Sequence, residues 1–303
     1  FPTRRSSDLL KDGLAGAAEA YGEHTESWTA RSRADIVVAV DRSAGVHDWG
    51  LELVTYMPDL VDALKDGEVD FRLTVAVGDD GCHGGDDPWI DDTWETSDVQ
   101  TAFAELMDVD GIDIPYGGNE ERGFMVLESA LAQTGTGGCL DGFRRDEAEL
   151  ALAGITDEPE QSVHDWDHYV ERFQDEAYHP DAATVSAIGG DPPSGCGGAT
   201  YALGWWEAVT ATDGAFQSIC ATDWSPFVTD LAAIADRGRR RHVLDLEPLP
   251  GSIEVTADGE VVASVTVEED ILVLDDAHAP DPGTAMSATY LLQPPASACP
   301  GPE

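Results

Sequence analysis

Short, continuous apolar runs set between stretches of helical period constrain this chain more than any other feature. ADIVVAVD (34–41) is apolar almost throughout and ends on an acid, the pattern of a strand buried on both faces. FRLTVAV (71–77), ELALAGIT (149–156), ATVSAIG (183–189) and HVLDL (242–246) repeat the theme. Between the first two, residues 48–65 place Leu51, Val54, Leu60, Val61 and Leu64 at helical spacing, with Pro58 expected to kink or interrupt that helix. A Gly/Asp-rich stretch fills 78–92, and further helices are expected around 98–107 and over 119–133, 165–177, 200–211 and 224–236. Strands alternating with helices predict an α/β fold built on a doubly wound, mostly parallel sheet of the Rossmann-like kind, with HVLDL closing the series.

From Gly251 the period falls to two. SIEVTADGEVV carries Asp258-Gly259 between alternating runs, a hairpin signal, and ILVLDD (271–276) and TAMSATYLL (284–292) read as further strands. Pro248 and Pro250 mark the boundary, so the expected organisation is an α/β domain over 34–248, a small β-rich C-terminal extension over 249–293, and a tail over 294–303. Residues 10–33, small and polar, read as a linker or a fraying helix. The first nine residues, FPTRRSSDL, open on Phe1 and hold two arginines in an acidic protein, and they resemble adapter-derived, non-native sequence. The corresponding expectation is a truncated reading frame, with a signal or lipid anchor in the missing N-terminus.

Charge and cysteine usage narrow the function. Sixty acidic residues stand against sixteen basic ones, for a formal net charge of -44. Hydrophobic residues make up 42%, enough to bury a sizeable core, which excludes wholesale disorder. Nucleic acid is excluded as a partner, because phosphate recognition needs a basic face. The basic cluster Arg237, Arg239, Arg240, Arg241 is placed to complement a helix C-terminus. No apolar run is long enough to span a membrane. Such an acidic surface, with Lys11 and Lys65 the only lysines, suits a saline or cation-rich medium where self-repulsion is screened. Cys82, Cys139, Cys196, Cys220 and Cys299 include no C-x-x-C pair, which argues against a zinc ribbon or a thioredoxin-like site. Most lie in Gly-rich or polar loops, which indicates disulfides and an oxidising, extracytoplasmic compartment. The pairing expected is Cys196 with Cys220 and Cys82 with Cys139, leaving Cys299 over, although spacing alone leaves connectivity open.

In an open parallel sheet, ligands bind beyond the carboxyl ends of the strands. Two strands here end in an acid followed by a polar loop: Asp41-Arg42-Ser43-Ala44-Gly45 and Thr156-Asp157-Glu158. A loop with Gly117, Gly118, Asn119, Glu120 and Glu121 opens the helix between them. Carboxylates and hydroxyls at one sheet edge are hard oxygen ligands, suited to Mg²⁺, Mn²⁺ or Ca²⁺.

VVAVDRSAG, GGNEERGFMVLESAL and LALAGITDEPEQS together resemble the three loops of a von Willebrand factor type A domain, and more narrowly its secreted or surface bacterial members. GGDPPSGC, SICATDW and the IEVTADG hairpin extend the resemblance over roughly 34–293. The resemblance implies a metal-ion-dependent adhesion site and a noncatalytic module that binds a protein ligand at the cell surface. In that family the first loop reads Asp-x-Ser-x-Ser, the second supplies a Thr and the third an Asp. Asp41, Ser43 and Asp157 match. Gly45 replaces the second Ser, removing one oxygen ligand, and the second loop has no Thr; Glu121 (or Glu120) stands nearest to its place. Glu121 and Glu158 would make the site net negative, repelling an acidic ligand by about 1–4 kcal/mol per charge at effective dielectrics of about 20–80. Capture of an acidic side chain should then be weaker than in adhesion receptors. The alternative within the family is a degenerate, structural module that holds no ion.

Other chemistries fit the residues less well. Ser43 lies between strand and helix as a hydrolase nucleophile would, with Asp157 or Asp223 and His242 to complete a triad, but the elbow's first Gly is replaced by Asp41. His164-Asp165-Trp166-Asp167-His168 faintly resembles H-E-x-x-H, yet lacks the Glu and a third ligand, and reads as two surface histidines. Asp108, Asp110, Gly111 and Asp113 lack the EF-hand order and read as a solvated loop. Trp205, Trp206 and Trp224 read as core or disulfide-shielding residues, with one of the adjacent pair buried and its neighbour partly exposed.

Overall fold

The computed structural model describes residues 22–40, 47–107, 122–268 and 270–292. In chain order the elements are β1 (Glu23–Thr29), β2 (Arg33–Val40), α1 (His47–Asp66), β3 (Asp70–Ala76), β4 (Ile90–Asp91), α2 (Thr96–Leu106), α3 (Gly123–Ala132), β5 (Glu149–Ile155), α4 (Trp166–Glu176), β6 (Ala183–Gly189) and α5 (Trp205–Ala211). They continue as β7 (Phe216–Ser218), α6 (Ser225–Ala235), β8 (Arg241–Val243), β9 (Glu254–Ala257), β10 (Glu260–Val261), β11 (Val265–Glu268), β12 (Ile271–Leu274) and β13 (Ala285–Leu291). The described residues divide into an α/β unit within 31–238 and a β unit formed by 22–30 and 239–292.

The α/β unit is a six-stranded sheet in the order β4-β3-β2-β5-β6-β7. All its pairings are parallel except β3 with β4. Alternate side chains along each strand enter different cores. Ala34, Ile36 and Val38 of β2 and Ala151, Ala153 and Ile155 of β5 pack with α1, α2 and α6. Val37, Ala39, Leu150 and Leu152 pack with α3, α4 and α5 on the other face. Helices on both faces explain why the strands are apolar in continuous runs. The doubly wound, mostly parallel sheet is therefore as expected.

Several local expectations are corrected. Helix α1 runs through Pro58 without interruption. Its buried stripe is Leu53, Val54, Met57, Leu60, Val61 and Leu64, whereas Leu51 is exposed. HVLDL does not close the parallel sheet: β8 pairs antiparallel with β12 in the β unit. The sheet edge is taken instead by β7, a three-residue strand too short and too polar to stand out in sequence. Nor is 10–33 a linker throughout. EHTESWT forms β1, whose alternate exposure was hidden by its polar composition, and pairs along its length with β13.

The β unit holds two antiparallel sheets, β1-β13-β9-β10 and β11-β12-β8. They share one core that includes Ala30, Leu244, Val255, Leu272, Leu274, Met286 and Tyr290. The expected hairpin is present: Ala257 pairs with Glu260, and Asp258 and Gly259 both take positive φ, 49° and 85°, as a two-residue turn of this type requires. The extension is thus a sandwich that needs β1 from the far side of the α/β unit in sequence.

Two disulfides are formed, Cys82–Cys139 and Cys196–Cys220, the pairing expected from their loop contexts. Cys299 lies outside the described residues. Trp205 and Trp224 are buried in the core and Trp206 is half-buried, packed edge-on to Phe216 at 4.9 Å.

Candidate functional site at the carboxyl edge of the sheet

Strand order reverses between β2 and β5. The crossover from β2 through α1 leads to one side and that from β5 through α4 to the other, so the crevice of a doubly wound sheet falls beyond the carboxyl ends of these neighbours. Val40 and Ile155 are their last paired residues. Asp157 follows β5 by two positions and is half-buried at this edge. Asp41, Ser43 and Glu121, with Gly45 and Glu120, lie outside the described residues, as do Asp108, Asp110 and Asp113. The structure therefore places one of the four expected ligands and leaves their convergence to the chain order.

The loop carrying Asp157 is fixed on three sides. The Thr156 N–H donates to the Ile188 carbonyl (3.1 Å), and the Glu158 N–H donates to the Thr156 hydroxyl (3.2 Å). The Asp157 carbonyl accepts from Thr200 N (2.8 Å) and from the Thr200 hydroxyl (3.1 Å), which joins this loop to the one after β6. The Glu160 N–H donates to Leu203 O at 2.9 Å. The Glu160 carboxylate accepts from Ser162 N (3.0 Å), the Ser162 hydroxyl and Phe124 N (3.3 Å), and Ser162 Oγ accepts from Met125 N (3.0 Å). Donors freed at the start of α3 are satisfied in this way, by a carboxylate at the positive end of the helix. Burial pushes the Glu160 carboxyl above its ordinary value, opposed by its hydrogen bonds from Ser162, Phe124 and Gly123.

Trp205, the first residue of α5, locks this assembly. A Cβ at Gly154, the next-to-last residue of β5, would stand 2.1 Å from the Trp205 ring, and one at Gly123, the first residue of α3, 2.3 Å from it. The ring also packs on Phe124 at 4.4 Å. At the start of α5, Glu207 accepts from Gly204 N (2.6 Å) and from the Tyr201 hydroxyl (2.8 Å). Burial and the neighbouring Glu207 raise Tyr201 to about 12, so it remains a donor at neutral pH. Glu160, Thr200 and Trp205 were not singled out in sequence as parts of this edge. One signal was available: an isolated Gly inside the strand run ELALAGIT marks a close approach.

The remaining candidates fall elsewhere. The His164 and His168 rings lie 4.2 Å apart between centroids, tilted by 47°, and are joined by no third ligand among the described residues. Exposed Asp223 accepts from Ser225 N at the start of α6 (2.9 Å), which holds its carboxyl low. His242 belongs to the β unit, stacked on Trp28.

The expected donor set, Asp41, Ser43, Glu121 and Asp157, is all oxygen, a chemistry that would fit a hard divalent cation. Among the described residues, fold and site define a doubly wound α/β domain with Asp157 at its switch point, in a chain that also carries a β-sandwich unit discontinuous in sequence.

No family profile matches the chain, and no curated protein matches it. Similar solved structures include proximal thread matrix protein 1 from the mussel byssus, at 13% identity and a TM-score of 0.40, covering 70% of this chain and 48% of that one. A von Willebrand factor type A protein from Catenulispora acidiphila is similar at 12% identity and a TM-score of 0.40, over 91% of this chain and 63% of that one. The pilus adhesin SpaC from Lactobacillus rhamnosus GG, in one form, is similar at 12% identity and a TM-score of 0.37, over 88% and 41%. The chain thus spans about half the length of the mussel protein and less than two thirds of the other two. Likeness at these scores carries no inference about ligand or activity; the fold class rests on the strand order itself.

Proposed function

We propose that the chain is a noncatalytic, extracytoplasmic binding module of the von Willebrand factor type A kind, whose α/β unit engages a protein ligand through a divalent cation. The observation that carries this reading is the pairing of Val40 with Ile155, which sets side by side the strand ends that lead into Asp41 and Asp157. Asp41, Ser43 and Asp157 would hold Mg²⁺, Mn²⁺ or Ca²⁺, with Glu121 in the place of the missing Thr. The ion would offer an open coordination position to an oxygen of the partner. The side chains select hard cations, and Thr200 and Glu160 hold the Asp157 loop in place. The two disulfides support an oxidising compartment. Among the described residues no helix is long and apolar enough to cross a membrane.

The test is calorimetric titration of chelator-stripped protein with Mg²⁺, Mn²⁺ and Ca²⁺ at high monovalent salt, which screens the diffuse charge. Saturable one-to-one binding that the Asp41→Ala/Asp157→Ala double variant loses supports the reading. Equal, weak heats in both proteins refute it and leave the degenerate structural module. Labelling of Ser43 by a fluorophosphonate probe would instead favour the hydrolase.

A further inference from the structure

The β unit carries a second cluster of metal-ligating side chains, with a different chemistry. His24, Glu26 and Trp28 alternate along β1 and so share one face of it. The Glu26 side chain is only 8% exposed, yet it is surrounded by polar partners. Its Oε1 accepts from the Tyr290 hydroxyl (2.9 Å), and its Oε2 accepts from Asp245 N (3.1 Å) and faces His242 Nε2 at 3.4 Å. The His242 ring is held by stacking on Trp28, 3.7 Å between centroids and 5° from parallel. His24 Nε2 is shielded from solvent and has no hydrogen-bond partner among the described residues. It lies 3.7 Å from Asp245 Oδ2, too far for a hydrogen bond. One ligand atom each from His24, Glu26 and Asp245 lies within 4.8 Å of the others.

These spacings suit a metal ion better than direct contact. Zinc–nitrogen and zinc–oxygen bonds of about 2.0–2.2 Å in tetrahedral array put neighbouring ligand atoms about 3.3–3.6 Å apart. The 3.7 Å separation of His24 from Asp245 is near that value. The two carboxylates, Glu26 and Asp245, carry a charge that a divalent ion cancels. A donor set of imidazole and carboxylate selects the zinc class over the hard cations suited to all-oxygen sites. Glu26 keeps a free lone pair on Oε1, since the Tyr290 hydroxyl occupies only one.

We propose that His24, Glu26 and Asp245 form a binding site for a zinc-class divalent cation, with His242 and Tyr290 as positioning residues that orient Glu26. The ion joins β1 to the segment after β8, two parts of the β unit separated in sequence by the whole α/β unit. It acts as a staple on a non-local strand pairing whose closure is entropically costly.

The experiment titrates the chelator-stripped full chain with Co²⁺ at high monovalent salt and follows visible absorption, then displaces Co²⁺ with Zn²⁺. One equivalent of Co²⁺ should produce an intense ligand-field band of low coordination number, which Zn²⁺ removes. His24→Gln and Asp245→Asn should each lose the band and weaken binding at least tenfold, while retaining the wild-type circular dichroism. His164→Gln and Asp41→Ala/Asp157→Ala should keep it. The proposal is overturned if His24→Gln and Asp245→Asn match wild type, or if the band follows His164. Should both variants unfold, wild type alone decides: no band at one equivalent overturns the proposal.

Discussion

Replacing Gly154 with Ala should destabilise the α/β unit through a single collision, and the size of the effect follows from the geometry. The added Cβ would lie 2.1, 2.5 and 2.6 Å from three Trp205 ring atoms, where ordinary contact begins at 3.4 Å. Relief requires the ring or the strand to move by about 1 Å in a close-packed interior. The ring has little room to do so: Trp205 is 2% exposed, Phe124 packs on it, and Gly123 borders it elsewhere. Overpacking of this kind costs about 1–3 kcal/mol. In a unit of this size that corresponds to roughly 2–4 °C in Tm per kcal/mol. Urea titrations followed by circular dichroism measure it, repeated in a Trp205→Leu background where the colliding atoms are gone. The Gly154→Ala penalty should shrink there by at least about 1 kcal/mol, the coupling expected of residues in direct contact. An equal penalty in both backgrounds, or none in the wild type, would refute the assignment of Trp205 as the brace of the Asp157 loop.

Further outcomes follow from other contacts. Asp35 is fully buried in β2 and accepts from Arg145 N and Nε, both at 2.8 Å, with Arg144 Nε at 3.5 Å. Asp35→Ala strands these cations and should cost about 3–5 kcal/mol by urea unfolding. Glu160 has a native value raised by burial, so its contribution to stability is fully present below the unfolded carboxylate value and is lost as pH rises through the native one. Glu160→Gln removes that loss, so the stability of the variant relative to wild type should rise with pH across that window. A relative stability that falls instead would show that the hydrogen bonds outweigh desolvation. Removing Cys82–Cys139 or Cys196–Cys220, which span 57 and 24 residues, should cost about 4 and about 3.5 kcal/mol by loop-entropy scaling, read from unfolding of paired Cys→Ala variants.

Sequence patterning revealed the α/β fold because burial on both faces leaves little freedom of composition: β5 is buried at every position, as its apolar run required. The same logic failed for β1 and β7. One face of β1 is solvated and the other buries His24 and Glu26 in a polar network, so no apolar alternation marks it. β7 is three residues long and depends on β6 for its pairing. At the candidate site, the place of Asp157 just beyond β5 was legible because an acid after a buried strand is conspicuous. Its supports were not, since Glu160 and Thr200 act through backbone hydrogen bonds between loops distant in sequence. Asp35 passed as part of an apolar run because its partners, Arg144 and Arg145, lie over a hundred residues away.

The central claim, a divalent cation at the carboxyl edge of β2 and β5, is tested most directly by Mn²⁺ paramagnetic resonance. The free-ion signal is titrated against chelator-stripped protein in half-molar monovalent salt. The account predicts that wild type removes one equivalent of Mn²⁺ from the free signal, and that Asp41→Ala/Asp157→Ala, with unchanged circular dichroism, does not. Equal depletion by both proteins would contradict it and place the bound ion elsewhere, at the His24, Glu26 and Asp245 cluster or on the diffuse acidic surface.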